Sequence, residues 1–192
     1  MLCLEPMKFS AAPFARSLVL LAIAGASALA NASPPQVNEP DPHKVDIAKL
    51  IACVYDVPTY NDYAMVFGAS GQGGAELGLV RVEDAANPFM YEYDLPASID
   101  VLGYRTQRVA LASGAMLAVL DNVKPQEVAK KLGIEEPLRD DSFKFMAMRV
   151  AQHTQEKLNG STINTVISHE VSTVITHPNK VLVGCSYRVN TY

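Results

Sequence analysis

Asn159-Gly160 separates two runs in which apolar and polar residues alternate, and no other feature of this chain narrows the fold as much. Both central positions of a type I′ turn need positive φ, which Asn and Gly supply at little steric cost. A two-residue connection also fixes register. It sets Val150 opposite His169, Met148 opposite Val171 and Met146 opposite Thr173. The second strand carries its apolar residues at odd positions, Ile163, Ile167, Val171 and Ile175. The first then needs them at even positions, where Met146, Met148 and Val150 stand.

A second turn follows at His177-Pro178-Asn179-Lys180, before another odd row: Val181, Val183, Cys185, Tyr187 and Val189. Because odd pairs with odd, a three-residue loop over 178–180 is expected, with Pro178 at the i+1 position and Lys180 left-handed. A one-residue slip would turn the whole row outward. Val171 is then expected to face both Met148 and Tyr187, with Cys185 inside and next to Thr173. Residues 143–189 thus read as a three-stranded antiparallel meander.

Upstream, residues 1–32 read as an export signal: Lys8 and Arg16, an apolar run over 17–28, and Ala30-Asn31-Ala32 as an A-x-A cleavage site before Ser33. The apolar run is too short to span a bilayer as a helix, and no second run of spanning length follows. The expected location is the periplasm or the extracellular medium, with no membrane span. Residues 33–42, rich in proline, read as an extended leader, and residues 43–192 as a single domain. Losing Lys8, Arg16 and Glu5 makes the mature chain one unit more acidic than the −4 of the whole sequence, which argues against nucleic acid as a partner. The two cysteines that remain, Cys53 and Cys185, are expected to form a disulfide in an oxidising compartment.

The rest of the chain reads as short strands with one or two helices. Residues 43–58 fit a helix followed by a strand ending at Pro58. Strands are expected over 63–67 and 76–83, joined by a Gly-rich hairpin loop at 68–74. Further strands are expected over 89–95, 105–112 and 115–120, the last two flanking Ser113-Gly114. A helix over 124–132 has Pro125 in its first turn, Lys130 and Lys131 in its last, and Gly133 as its stop. The fold class is therefore α+β or mainly β, a single domain on antiparallel sheet.

Chemistry is sparse. The Gly-rich loop lacks the Lys-Ser/Thr and the following helix that a phosphate cradle requires, and Gln72 stands where a nucleophile elbow around Ser70 needs glycine. Ser70, Gly71, Gln72, Gly73 and Gly74 read instead as a protruding loop that could enter a partner's cleft. The histidines His43, His153, His169 and His177 show no metal-ligand spacing, so neither a metal nor a cofactor is expected. His169 reads as a core histidine, and Phe89, Tyr91 and Tyr93 as core packing. Size, charge, the long-range disulfide and the loop point to a non-enzymatic exported binding protein, of the inhibitor or immunity type, for another envelope or extracellular protein. Two alternatives stand beside it. One is a carrier of a small apolar ligand walled by Met146, Met148, Val150 and Tyr187. The other is a cell-envelope hydrolase using Ser70 or His169.

Overall fold

The computed structural model describes residues 41–68, 73–83, 87–112 and 114–192. After a 3-10 turn at Pro42–Lys44 come helices α1 (Ile47–Ile51), α2 (Val57–Gly68) and α3 (Gly73–Glu76). Strands β1 (Val80–Arg81), β2 (Tyr91–Val101), β3 (Tyr104–Ala112) and β4 (Ala115–Asp121) follow. Helix α4 (Pro125–Lys131) then leads into β5 (Arg139–Asp140), β6 (Phe145–Leu158), β7 (Ser161–Ser172) and β8 (Lys180–Thr191). The eight strands of the described residues belong to one antiparallel sheet in the order β1-β2-β3-β4-β8-β7-β6-β5. The expected antiparallel α+β, mainly β class is what the chain adopts.

The expected hairpin is present. Asn159 and Gly160 take φ of 50° and 85°, and Leu158 pairs with Ser161. The expected register holds down to Gln152 opposite Ile167, where a bulge intervenes, so that Val150 meets Ser168, Met148 meets Glu170 and Met146 meets Ser172. One extra residue in one strand reverses which face each following side chain takes. The buried row of β6 is therefore Phe145 and Ala147, while Met146 and Met148 lie half-buried on the opposite face and Val150 is exposed.

The turn before β8 also differs from the three-residue loop expected. Strand β7 ends at Ser172, so Ile175 is in no strand and is exposed, and Asn179, not Lys180, is left-handed at φ 63°. Val171 pairs with Val183, Ile167 with Tyr187 and His169 with Cys185, four places from the expected register. An even displacement preserves faces. Val181, Val183, Cys185 and Tyr187 accordingly all point into the core.

In the first half, helix replaces strand. The α1 cap is Asp46, whose carboxylate accepts from the Ala48 N–H at 2.9 Å, and Asp56 accepts from the Thr59 N–H at 3.0 Å at the start of α2. Buried Val57, Tyr60 and Tyr63 with half-buried Ala64 make a stripe at helical spacing, so residues 63–67 are helical and no strand runs up to Pro58. The strand expected over 76–83 shrinks to Val80–Arg81 behind α3. A hairpin not foreseen turns at Leu102-Gly103, both with positive φ, between β2 and β3. The β3–β4 hairpin and α4, stopped by Gly133 at φ 69°, stand as expected.

One face of the sheet bears the main core. Leu50, Ile51, Tyr60, Tyr63 and Val128 from the helices join the same buried cluster as Val109, Met116, Val171 and Val183 from the strands. Burying such apolar surface is the dominant favourable term in folding. The Cys53–Cys185 disulfide ties the end of α1 to β8 with Cα atoms 5.2 Å apart. Beside it, the Tyr187 hydroxyl donates to the Leu50 carbonyl at 2.7 Å and its ring stacks on Tyr60 at 4.4 Å. The opposite face has a smaller cluster of Met90, Ala110, Leu117, Val119 and Leu182, with Val174 packed against it.

Candidate functional site

Strands β6, β7 and β8 run on past the packed body and form an arm. Every residue of β6 from 149 to 158 is exposed, residues 161–166 of β7 are only half-buried, and β8 is exposed from Arg188 to its end. On the helix-side face of this arm, Gln152, Thr154 and Glu156 lie opposite Ile167, Thr165 and Ile163, and Val189 pairs with Thr165. These residues and the start of α2, Asp56 to Pro58, line a groove of about 380 Å³. Hydrogen bonds from the Thr59 side chain and backbone hold the Asp56 carboxyl below the usual carboxylate range, so one lip of the groove is anionic. The other face of the arm carries His153, Gln155 and Lys157 beside Val166, Asn164 and Thr162.

A second constellation lies on the sheet face away from the helices. Glu92 and His177 have side chains 3% and 5% exposed, and His177 Nε2 lies 2.8 Å from Glu92 Oε1. The other ring nitrogen, Nδ1, lies 3.0 Å from the Thr176 hydroxyl. Arg108 stands 3.8 Å from the second Glu92 oxygen and grips Asp94 through two hydrogen bonds of 2.8 and 3.1 Å. The Asp94 hydrogen bond, ahead of the cost of burial, raises the Arg108 pKa further.

Hydroxyl, imidazole and carboxylate in series resemble the parts of a nucleophilic triad. Here the hydroxyl is on the residue next to the imidazole in the chain, and both ring nitrogens are engaged away from solvent. Such a chain satisfies buried polar groups and fixes the 173–179 connection to β2. Next to it, Arg105, Arg108, Asp94, Asp121 and Lys180 rim an open groove of about 560 Å³, in which Lys180 pairs with Asp121 at 2.6 Å.

Of the loop residues singled out in the sequence, Ser70, Gly71 and Gln72 lie outside the described residues. Gly73 and Gly74 open α3, and Gly74 is buried so close to the Tyr93 ring that a Cβ there would sit 2.5 Å from Cε1. Gly74 thus belongs to a packed turn of helix.

His169 lies in the buried row opposite Cys185, with no hydrogen bond to Nδ1 among the described residues. Burial, then the charge of Arg149, lowers its pKa. The supposed ligand wall is divided, because Met146, Met148 and Val150 face away from the helices while Tyr187 faces them. In the aromatic row, Phe89 is 83% exposed, Tyr91 lies under Arg81 and only Tyr93 is core. Among the described residues no group of three His, Cys, Asp or Glu side chains could hold a metal ion.

Sequence reasoning missed the Glu92–His177 pair. A separation of 85 positions gives no local signal, and Glu92 falls on the polar side of an alternating strand. Comparison of the chain with protein-family models, with curated proteins and with solved structures finds no match in any of the three.

Proposed function

We propose that this chain is a non-enzymatic exported protein that binds another envelope or extracellular protein, with the β6–β7–β8 arm as its recognition element. The observation that carries the reading is the arm itself: three long paired strands, with β6 exposed from 149 to 158 among the described residues, beside a groove walled by α2. Two or three strands gain independent stability by burying a face, and exposed apolar surface rimmed by polar groups marks protein interfaces. Ile163, Ile167 and Val189 supply apolar floor, and Asp56 and Glu156 an acidic rim. The buried disulfide suits an oxidising compartment, and among the described residues no helix is long and apolar enough to cross a membrane.

The test is site-specific photocrosslinking in the producing cell, with the crosslinker at Thr165 in the groove or at exposed Lys130 on α4 as control. The expected result is one protein captured from Thr165 and not from Lys130, and lost when Thr154→Arg is added. Identical capture profiles at the two positions would overturn the reading.

A further inference from the structure

The outer edge of β6 is covered by β5 only at Phe145 and Met146. From residue 147 to residue 158 no strand pairs with it among the described residues. We infer that this edge pairs antiparallel with the same edge of a second copy of the chain, joining two sheets across a two-fold axis.

Three independent features select one register. The first is length: laying the free edge on itself sets Ala147 against Leu158, so that the partner's Asn159-Gly160 turn arrives where β5 begins.

The second is the direction of the backbone groups. The Thr173 N–H donates to the Phe145 carbonyl, so Phe145 points toward β7 and Met146 toward β5; Met148 and Val150 follow Met146 outward. At the other end Leu158 and Ser161 form the hydrogen-bonded pair that closes a two-residue turn, so Lys157, Gln155 and His153 point outward. The register pairs Met148 with Lys157 and Val150 with Gln155, outward with outward, on one face. In a regular strand with an even number of free residues, the two-fold axis would set an outward residue against an inward one. Because the bulge between Val150 and Gln152 offsets the alternation by one, the pairs in phase are those whose residue numbers sum to an odd value, and this register is one of them. Residues 151–154 of both copies flank the axis and absorb the mismatch.

The third feature is charge. Arg149 meets Glu156 of the partner, and Glu156 meets its Arg149, on the helix-side face. Both are exposed, and neither makes a salt bridge within the chain among the described residues. Neighbouring registers set Arg149 against Gln152, Thr154 or Leu158 instead. Long open edges are ordinarily blunted by charge, proline or a covering element; here the charges are arranged to complement themselves. Because the axis stands perpendicular to the sheet, the helix-side faces of the two arms become one continuous floor.

The test uses the protein recovered after export, with mass measured by light scattering behind a sizing column across a concentration series. Wild type should be a dimer. Arg149→Glu alone places Glu opposite Glu at both contacts, and Glu156→Arg alone places Arg opposite Arg. Each should weaken dimerisation about tenfold or more, with the circular dichroism spectrum unchanged because both side chains are exposed. Mixing the two variants should restore a dimer containing one of each, and the double variant R149E/E156R should dimerise as wild type does. A monomeric wild type at about 100 µM, a concentration at which even a weak specific interface is populated, would overturn the inference and leave the edge to a strand of another protein. Single variants that dimerise undiminished, or a mixture that stays monomeric, would overturn the register. Capture of a partner through Thr165 can succeed or fail with either result, so the two readings are separable.

Discussion

Opening the Cys53–Cys185 link tests how the helix layer is held on the sheet. The cysteines are 132 residues apart, and the chain-entropy relation gives about 5 kcal/mol for closing such a loop in the unfolded state. Two features of the folded state bear on the net effect. Cys53 is left-handed at φ 57°, a conformation that costs a non-glycine residue about 1 kcal/mol and that a cut link leaves free to relax. Cys185 is fully buried, so its sulfur keeps its packing if the bond is reduced and the side chain left in place. The expected loss is therefore about 4 kcal/mol. With a urea slope of about 2 kcal/mol per molar, the unfolding midpoint should fall by about 2 M. Tyrosine fluorescence reads the transition in a chain without tryptophan. Oxidised protein is compared with protein unfolded and refolded in reductant, and with the double variant Cys53→Ala, Cys185→Ala. The chain-entropy account also requires a steeper slope without the link, because the open chain exposes more surface when it unfolds. A midpoint within about 0.5 M of the oxidised protein's would refute the reasoning, since it sets an effect of only about 1 kcal/mol against the about 4 argued here.

Three further substitutions probe other parts of the structure. Gly184→Ala would drive a Cβ into the Met116 carbonyl oxygen and within 2.9 Å of the Leu117 Cα, backbone atoms that cannot rotate aside. A loss of about 1–3 kcal/mol is expected in denaturant unfolding, and wild-type stability would show that β4 and β8 do not approach so closely. Burial lowers the His169 pKa below its ordinary 6.5, so the unfolded chain takes up the proton first and stability falls as pH drops below about 6.5. That part of the acid slope should vanish in His169→Leu, and superimposable Tm–pH curves would count against it. Burial raises the Glu170 pKa despite Arg188 and Lys144, so its contribution is full below the unfolded value of 4.5 and lost as pH rises through the folded one. Glu170→Gln should therefore raise Tm at pH 7, with the gain shrinking towards pH 4; a lower Tm at pH 7 would mean that the Arg188 contact, at 4.0 Å, outweighs burial.

The C-terminal half was legible wherever a local rule fixes the backbone. Asn159-Gly160 specified its turn because few residue pairs accept two positive φ values. The odd row of β8 survived a four-place error in register because side-chain period is two. The bulge between Val150 and Gln152 was not legible, since no Gly marks it, and it inverted the face of Met146, Met148 and Val150. In the first half, Tyr and Val favour strands, yet α2 is helical because Tyr60 and Tyr63 meet the core at helical spacing, which overrides propensity. Glu92 and His177 escaped because their partnership arises only when the 173–179 connection crosses to β2.

That same bulge ties the fold to its surface. In the body, side chains of β6 alternate between the helix-covered core and a half-covered face, and Phe145 and Ala147 are held in place by burial. Beyond the bulge the strand continues without a core to specify it. Its register there rests on the Asn159-Gly160 turn at one end and the body at the other, with the bulge taking up the odd residue between them. Deleting Ala151 would leave a regular ladder, with Val150 still opposite Ser168 and Gln152 still opposite Ile167, so the core face and the turn would both be kept. The bulge thus sits where the register of the body and the register of the turn differ by one residue. An edge strand shaped only by folding has no need of Arg149 and Glu156 at complementary distances from the axis. That complementarity, on an edge that no strand covers from residue 147 to residue 158 among the described residues, is the reason to place recognition on β6.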